Sequence, residues 1–204
     1  MSERGRPRLA PLPAERWDAE VRGALALAFP EEIVERFLAS GADSIRMPDA
    51  ISTMLHHPEL TGRWLAFNNV LLWSPSLDDR MRELVVLRVA WRTRANYEWA
   101  QHVQLARRAG ITDDEMEAVA NGRDSAWTEL EAALLAATDQ LLDAYRVDDD
   151  TWRRLAEHLD EQQLVEVVFV VGAYTCLAMA FKSFGLQLEP DVDPAIPLPE
   201  PVDQ

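Results

Sequence analysis

The placement of proline constrains the fold of this chain more than any other sequence feature. Proline lacks a backbone donor and clashes with the preceding helical turn, so it is rare inside helices. None lies between Ser76 and Glu189, whereas three occur in the first thirteen residues and five in the last fifteen. This distribution predicts a helical body flanked by extended arms. We assign residues 1–13 and 189–204 to the arms and residues 14–188 to a single domain.

Apolar residues in the body recur with the spacing of helices, and the alternation typical of strands is nearly absent. The sequence therefore predicts an all-α protein. The expected helices cover approximately residues 14–29, 31–39, 48–56, 58–73, 76–93, 95–109, 112–122, 125–145, 150–158 and 161–184. Ser76 with Asp79, and Thr112 with Glu115, have the spacing of N-terminal capping pairs, and Gly110 is expected to end the helix before it.

The helix at 161–184 is so apolar that we expect it to be central or to lie at a subunit interface. Its uncharged run, residues 167–181, is shorter than the roughly 20 residues needed to span a bilayer. Its Cys176 is the single cysteine of the chain, which excludes a disulfide within the chain and favours a reducing cytoplasm. The apolar surroundings predict a buried, inert thiol at this position.

Charge narrows the range of partners. The chain has 35 acidic and 20 basic residues, a net charge of -15, so its average surface repels phosphate. We therefore expect neither nucleic acid nor a membrane surface as partner. Zinc-binding and calcium-binding motifs are absent, and adjacent His56 and His57 would diverge on a helix, so no metal site is predicted. The glycine-rich motifs that cradle nucleotide phosphates are absent as well.

Polar and aromatic residues concentrate at positions 96–102, Asn-Tyr-Glu-Trp-Ala-Gln-His. Glu98 and His102 are four residues apart and therefore share one helix face. A carboxylate bound to one imidazole nitrogen fixes the tautomer and raises the basicity of the other nitrogen, which makes a proton shuttle. An ordinary surface pair has the same spacing, and spacing alone favours that interpretation.

Glu83 lies in a helix that is otherwise rich in Leu, Val and Ala. It is either a partly buried carboxylate with an arginine partner or a first-turn glutamate stabilised by the helix dipole. Several arginines surround it, and one or two of them could bind a substrate carboxylate through paired hydrogen bonds. They are Arg80, Arg82, Arg88, Arg92 and Arg94.

Three segments resemble the carboxymuconolactone decarboxylase and alkylhydroperoxidase-D-like family: Arg-Glu-Leu-Val-Val-Leu-Arg-Val-Ala at 82–90, Tyr-Glu-Trp-Ala-Gln-His at 97–102 and Ala-Gly-Ile-Thr at 109–112. The resemblance covers about residues 50–122. The peroxidase branch has a glutamate, then two cysteines, then a histidine, and Glu83 and His102 match its outer positions. Ala95 and Glu98 occupy the cysteine positions, so thiol peroxidase activity is not expected. The decarboxylase branch has a glutamate four residues before the histidine, which matches Glu98 and favours the proton-shuttle interpretation.

The resemblance implies a helical bundle of this family's type and a cofactor-free enzyme that assembles as a trimer or hexamer. The implied substrate is a small carboxylated lactone or a related enolisable acid, which loses carbon dioxide and is then protonated. In this scheme His102 is the acid/base, Glu98 orients it, and Glu83 is a second proton relay. The predicted substrate-binding residues are Tyr97, Trp99, Arg80 and Arg88.

Other reactions remain open on this resemblance. The same pair could support an isomerase or a lactone-opening enzyme. A non-catalytic oligomer that binds a small apolar acid is another alternative, and a peroxidase using Cys176 with an external thiol is a third.

A faint internal echo, that is, a weak sequence similarity, relates residues 83–110 to residues 163–185. Because the second copy lacks the charged residues of the first, we expect the chemistry in the first copy.

Overall fold

The computed structural model of the chain describes residues 6–39, 43–73, 75–121, 127–190, 192 and 197–200. Within these residues the chain forms ten α-helices and one short 3-10 turn, Ala14–Arg16, with no strand, which confirms the all-α prediction. The helices are α1 Ala19–Ala26, α2 Glu31–Leu38, α3 Asp49–Met54, α4 Pro58–Trp73, α5 Asp79–Thr93, α6 Asn96–Arg108, α7 Asp113–Asn121, α8 Glu129–Ala144, α9 Asp149–Ala156 and α10 Glu161–Phe184.

Side-chain caps set the starts of α1 and α5, and both starts differ from the predictions. Asp18 accepts hydrogen bonds from two backbone N–H groups at the start of α1, so the predicted helix at 14–29 is a 3-10 turn followed by a shorter helix. Helix α5 is capped by Asp78, which accepts from the N–H of Met81 at 2.8 Å. The predicted cap, Ser76, instead donates its N–H to Glu166 at 2.7 Å.

Other predicted signals are confirmed. Thr112 and Glu115 form reciprocal hydrogen bonds at the start of α7, and Gly110 has a φ of 82°, the left-handed conformation that ends a helix. The predicted ends at Gly122 and Ser125 lie outside the described residues. Helix α8 begins after Thr128, which forms a complete capping box with Glu131.

The chain forms two compact units, Met1–Ser74 with Ser183–Glu189, and Pro75–Lys182 with Pro190–Gln204. The prediction of one domain at residues 14–188 stays a prediction. In the first unit α1 packs against α4 over a core of Leu12, Val21, Ala24, Leu25, Val34, Phe37, Met47, Leu55 and Leu65. The two helices approach closely at Gly62, where a Cβ would lie 2.6 Å from the carbonyl oxygen of Ala24.

The second unit is built around α5. This helix packs against α6, α7 and α8, and nearly all of its residues from Arg82 to Ala90 are buried. The shared core consists of Leu84, Leu87, Ala90, Trp99, Val103, Ala106, Ile111, Met116, Val119 and Leu135. A central helix with apolar neighbours on most sides places any charged residue that it carries in the interior.

Helix α10 is long and apolar enough to cross a membrane by length and composition, with a mean hydropathy of 2.1 in its most apolar window. Of that window, 56% is buried inside the protein, as in the core helices of folded domains. The predicted burial of Cys176 is wrong, because this residue lies on the exposed side of α10. A helix that is apolar on all sides gives no sequence signal for which side faces outward.

We expect Gly62→Ala to lower the free energy of unfolding by about 1–3 kcal/mol, because the new Cβ would overlap two backbone atoms of Ala24. Gly23 in α1 is a matched control, since a Cβ there meets nothing within 4 Å. Gly23→Ala should raise the stability by up to about 1 kcal/mol through helix propensity. Urea unfolding of both variants checks the pair, and equal effects would contradict the packing described here.

Candidate functional site

A tight turn between α5 and α6 brings the candidate residues together. Arg94 adopts the left-handed conformation, with a φ of 55°, and Ala95 donates its N–H to the carbonyl of Ala90 at 2.8 Å. The C-terminal tail contacts this turn, where the carbonyl of Pro199 accepts from Arg94 at 2.6 Å and from the indole N–H of Trp91 at 3.1 Å. The turn sends α6 back along α5, so residues distant in sequence face each other.

The central contact is a hydrogen bond between His102 and Glu83. The imidazole Nδ1 lies 2.7 Å from Glu83 Oε2. The Glu83 side chain is fully buried and that of His102 is 10% exposed. A carboxylate can only accept, so Nδ1 carries the proton in this pair, and in the neutral imidazole Nε2 has the free lone pair. Nε2 has no hydrogen bond with any described residue and is therefore the nitrogen available to a bound molecule.

Arg82 holds the other oxygen of Glu83. Its Nε and Nη2 each donate to Glu83 Oε1 at 3.2 Å, and its Nη1 donates to Asp79 at 2.9 Å. The Arg82 side chain is itself buried. Glu83 therefore receives three N–H hydrogen bonds, which stabilise its charged form in the interior. Of the two interpretations that the sequence leaves open for Glu83, the structure shows the buried carboxylate with an arginine partner.

Glu98 is placed differently from its prediction. Both of its carboxyl oxygens are buried and have no hydrogen-bond partner among the described residues, so the expected bond to His102 is absent and Glu83 takes that position. Burial raises the pKa of Glu98 to about 8. The group is therefore a neutral carboxylic acid at pH 7, able to donate a hydrogen bond.

Tyr174 of α10 completes the cluster, and sequence analysis missed it. Its ring meets the imidazole of His102 edge to face, with 5.0 Å between centroids. Burial raises the pKa of Tyr174, and the negative charge of Glu83, joined by that of Glu98 above its own pKa, raises it further, so the phenol keeps its proton. Tyr174 belongs to the second copy of the internal echo and contacts His102 of the first, and the expectation that the chemistry lies in the first copy stays a prediction. The sequence signal that could have identified Tyr174 is its position as the single phenol in an apolar helix.

Two predicted substrate-binding residues on α6 lie deep in the unit. Trp99 is 1% exposed and belongs to the central core. Tyr97 is also buried and packs edge to face on Phe181, with 5.4 Å between centroids. Both side chains are part of the packed interior, and their roles in substrate binding stay predictions.

The two predicted arginine anchors already bind carboxylates of this chain. Arg80 donates to Glu115 at 2.6 Å and to Glu131 at 2.7 Å. The hydrogen bond from Arg80 lowers the pKa of Glu115 to about 2. Arg88 binds both oxygens of Asp139, at 2.8 and 2.7 Å. These guanidinium groups connect α5 with α7 and α8, which leaves them less able to bind a substrate.

No group of three or more His, Cys, Asp or Glu side chains suited to a metal ion occurs in the part of the chain that the structure describes. The titratable side chains that the structure brings together here are the Glu83–His102 pair, Glu98 and Tyr174.

We expect the stability of the chain to respond to pH through Glu98. The pKa of this carboxyl is raised from 4.5 to about 8 on folding, so between these values the unfolded chain has released a proton that the folded chain retains. Stability therefore falls as pH rises from about 4.5 to about 8 and then levels off. Glu98→Gln removes this penalty and should stabilise the chain at pH 7 by on the order of 3 kcal/mol relative to wild type.

Urea unfolding at pH 5, 7 and 8.5 measures this difference. Glu157→Gln on the exposed end of α9 is the control, and its difference from wild type should not change with pH. A Glu98→Gln advantage that is constant with pH would show that Glu98 is charged in the folded chain.

Comparison with known protein structures identifies the type of fold. A peroxidase-related protein from Silicibacter sp. TM1040 aligns over 94% of this chain and 97% of its own, with a TM-score of 0.71 and 14% identity. A protein with the alkylhydroperoxidase AhpD core from Ralstonia eutropha JMP134 aligns over 95% of this chain and 100% of its own, with a TM-score of 0.68 and 16% identity. A cysteine-to-alanine variant of the debrominase Bmp8, in complex with 2,3,4-tribromopyrrole, aligns over 89% and 91% with a TM-score of 0.65 and 16% identity.

These structural similarities show an AhpD-core-like fold. No curated protein sequence matches the chain significantly. The family model described as the Carboxymuconolactone decarboxylase family matches residues 58–139, a segment that contains α4, α5, α6 and the Glu83–His102 pair. Residues 58–139 thus match the carboxymuconolactone decarboxylase family, and the chain has an AhpD-core-like fold.

Proposed function

We propose that this protein is a cofactor-free lyase that removes carbon dioxide from a small carboxylated lactone or a related enolisable acid. The observation that carries the proposal is the buried hydrogen bond between His102 Nδ1 and Glu83. It fixes one imidazole tautomer and leaves Nε2 free to take up and release a proton, which is what a proton shuttle needs.

The reaction divides into two steps. The bond between the carboxylate carbon and its neighbour breaks, its electron pair remains on the carbon chain as an enolate, and carbon dioxide leaves. The protonated Nε2 of His102 then gives its proton to that carbon, and the neutral imidazole regains a proton from solvent. Glu83 keeps its hydrogen bond to Nδ1 throughout and so holds the orientation of the imidazole.

The negative charge that develops on the substrate oxygen must be stabilised by hydrogen-bond donors. Neutral Glu98 and the phenol of Tyr174 are both buried and both retain their protons at pH 7. Donors in a site of low dielectric stabilise an enolate more strongly than water does. We assign them this role in place of Arg80 and Arg88, whose guanidinium groups are bound to Glu115, Glu131 and Asp139.

Arg80 and Arg88 are already bound to carboxylates of this chain, and this favours a second candidate function. The second candidate is an isomerase that moves a proton on an uncharged enolisable substrate. Such a substrate needs no cationic anchor, and Nε2 of His102 would remove the proton and return it at another carbon. Thiol peroxidase activity is not proposed, because Ala95 and Glu98 stand at the cysteine positions of that branch. A homo-oligomer in the cytoplasm, without nucleic acid or membrane, remains part of the proposal.

We expect wild type to release carbon dioxide from a member of a panel of carboxylated lactones and β-keto acids in deuterated water, and to place deuterium on the carbon that lost the carboxylate. His102→Ala should abolish both signals, since no other group returns the proton. His158→Ala is the control, because His158 is exposed at the end of α9. Mass spectrometry reads both products.

Three outcomes have distinct meanings. Deuterium without carbon dioxide selects the isomerase. Full activity in His102→Ala excludes the proposed mechanism. Binding of panel members, seen as a change in tryptophan fluorescence without any product, would favour a non-catalytic binding protein.

The rate should also depend on pH through Glu98. Above about pH 8 this carboxyl loses its proton and no longer donates, so turnover is expected to fall as pH rises through that value. Glu98→Gln retains a neutral donor and should remove this decline while keeping measurable turnover. A decline that persists unchanged in Glu98→Gln would assign it to another group.

A further inference from the structure

A small cavity lies between α5, α7 and α8 in the second unit. It has a volume of about 160 Å³, and its lining includes Arg88, Val119, Trp127, Ala132, Ala136 and Asp139. Arg88 and Glu83 are five residues apart on α5, so their side chains leave the helix about 140° apart around its axis. The cavity is therefore on a different side of α5 from the Glu83–His102 pair.

The local sequence explains why the helices leave this volume between them. Trp127 directly precedes Thr128, the N-cap of α8. A large apolar residue at this position usually packs against the fourth residue of the helix, which here is Ala132. Alanine is too short to fill the space beside an indole ring, and Ala136 continues the same small face one turn later. Both alanines are partly exposed, so the cavity opens to the surface along α8.

One polar atom of the lining residues has no partner. The indole Nε1 of Trp127 is buried and makes no hydrogen bond within the described part of the chain. A buried tryptophan N–H usually finds an acceptor, because an unpaired donor loses its hydrogen bond to water without a replacement. Trp91, for comparison, donates its indole N–H to the carbonyl of Pro199. The unpaired N–H of Trp127 therefore favours a ligand that brings its own acceptor.

The charged groups of the lining are already paired with each other. Arg88 donates to both oxygens of Asp139, at 2.8 and 2.7 Å, and to the carbonyl of Val119. Arg92 adds a third hydrogen bond to Asp139, at 2.6 Å. An ionic ligand would have to compete with these pairs and give up its own hydration. The lining therefore favours an uncharged molecule.

We propose that this cavity binds a small uncharged ring compound that carries one hydrogen-bond acceptor, a ring nitrogen or a carbonyl oxygen. The acceptor takes the hydrogen bond of Trp127 Nε1, and the ring packs against Ala132, Leu135 and Ala136. A cavity of about 150 Å³ accommodates one benzene molecule, so the volume here matches a single six-membered ring. Binding at this cavity is independent of the proposed reaction, because none of these residues has a role in it.

Pyridine and benzene are matched probes, because they have nearly the same shape and only pyridine has an acceptor. In heteronuclear NMR of the full chain, we expect pyridine at neutral pH to shift the indole N–H resonance of Trp127. That resonance is assigned by its absence from Trp127→Phe. Affinities for both probes are obtained from the backbone amide shifts of α8.

Trp127→Phe keeps an aromatic ring and removes the donor. It should weaken pyridine binding by about three- to tenfold relative to benzene binding, since only pyridine loses a hydrogen bond. The ratio of the two affinities cancels the change in cavity shape, which affects both probes. An unchanged ratio in Trp127→Phe would assign binding to ring packing alone and overturns the proposal.

Ala136→Leu tests the location, because the larger side chain fills the cavity and should abolish binding of both probes. Ala156→Leu on the exposed end of α9 is the matched control and should bind them as wild type does. His102→Ala should also bind as wild type, whatever its effect on the proposed reaction. Circular dichroism verifies that the variants fold.

Three results contradict the proposed site. They are the absence of a saturable pyridine shift at Trp127 in wild type, a shift that persists in folded Ala136→Leu, and a shift that is lost in folded His102→Ala. The last of these would place pyridine at the candidate active site instead.

Discussion

The charged chain from Arg82 through Glu83 to His102 is the interaction on which the candidate site depends. A carboxylate in the middle of α5 has lost its water, and only the three N–H groups that it accepts offset that cost. Removal of either partner would leave the remaining charge exposed to an apolar interior. The bond therefore does more than orient one imidazole, since it fixes how α6 lies against α5.

Two glutamates close to the same phenol have opposite environments. Glu83 accepts hydrogen bonds from several N–H donors. The Glu98 carboxyl is buried without a hydrogen-bond partner among the described residues, and this burial favours its protonated form. Pairs of titratable groups whose surroundings separate their proton affinities are typical of acid/base sites. The arginines of α5 contribute indirectly, because Arg80 and Arg88 hold α7 and α8 in place through their ion pairs and thereby keep this interior closed.

Sequence patterns predicted the helices well because apolar spacing and caps are local properties. They identified Glu83 and His102 as candidates but gave the wrong partner to the histidine. Residues four apart share a helix face, yet the side chain that binds His102 comes from nineteen residues away, across a turn whose geometry depends on tertiary packing. Tyr174 was missed for the same reason, and the exposure of Cys176 was not predictable from a helix that is apolar all round.

The apolar residues of α10 lie on two faces that its sequence alone does not separate. One face carries Tyr174 and packs in the core beside His102, while the other face carries exposed apolar residues, Val165 and Met179 among them. The hydropathy of the helix is therefore high on both faces, and only the burial of Tyr174 against the imidazole distinguishes the face that belongs to the candidate site.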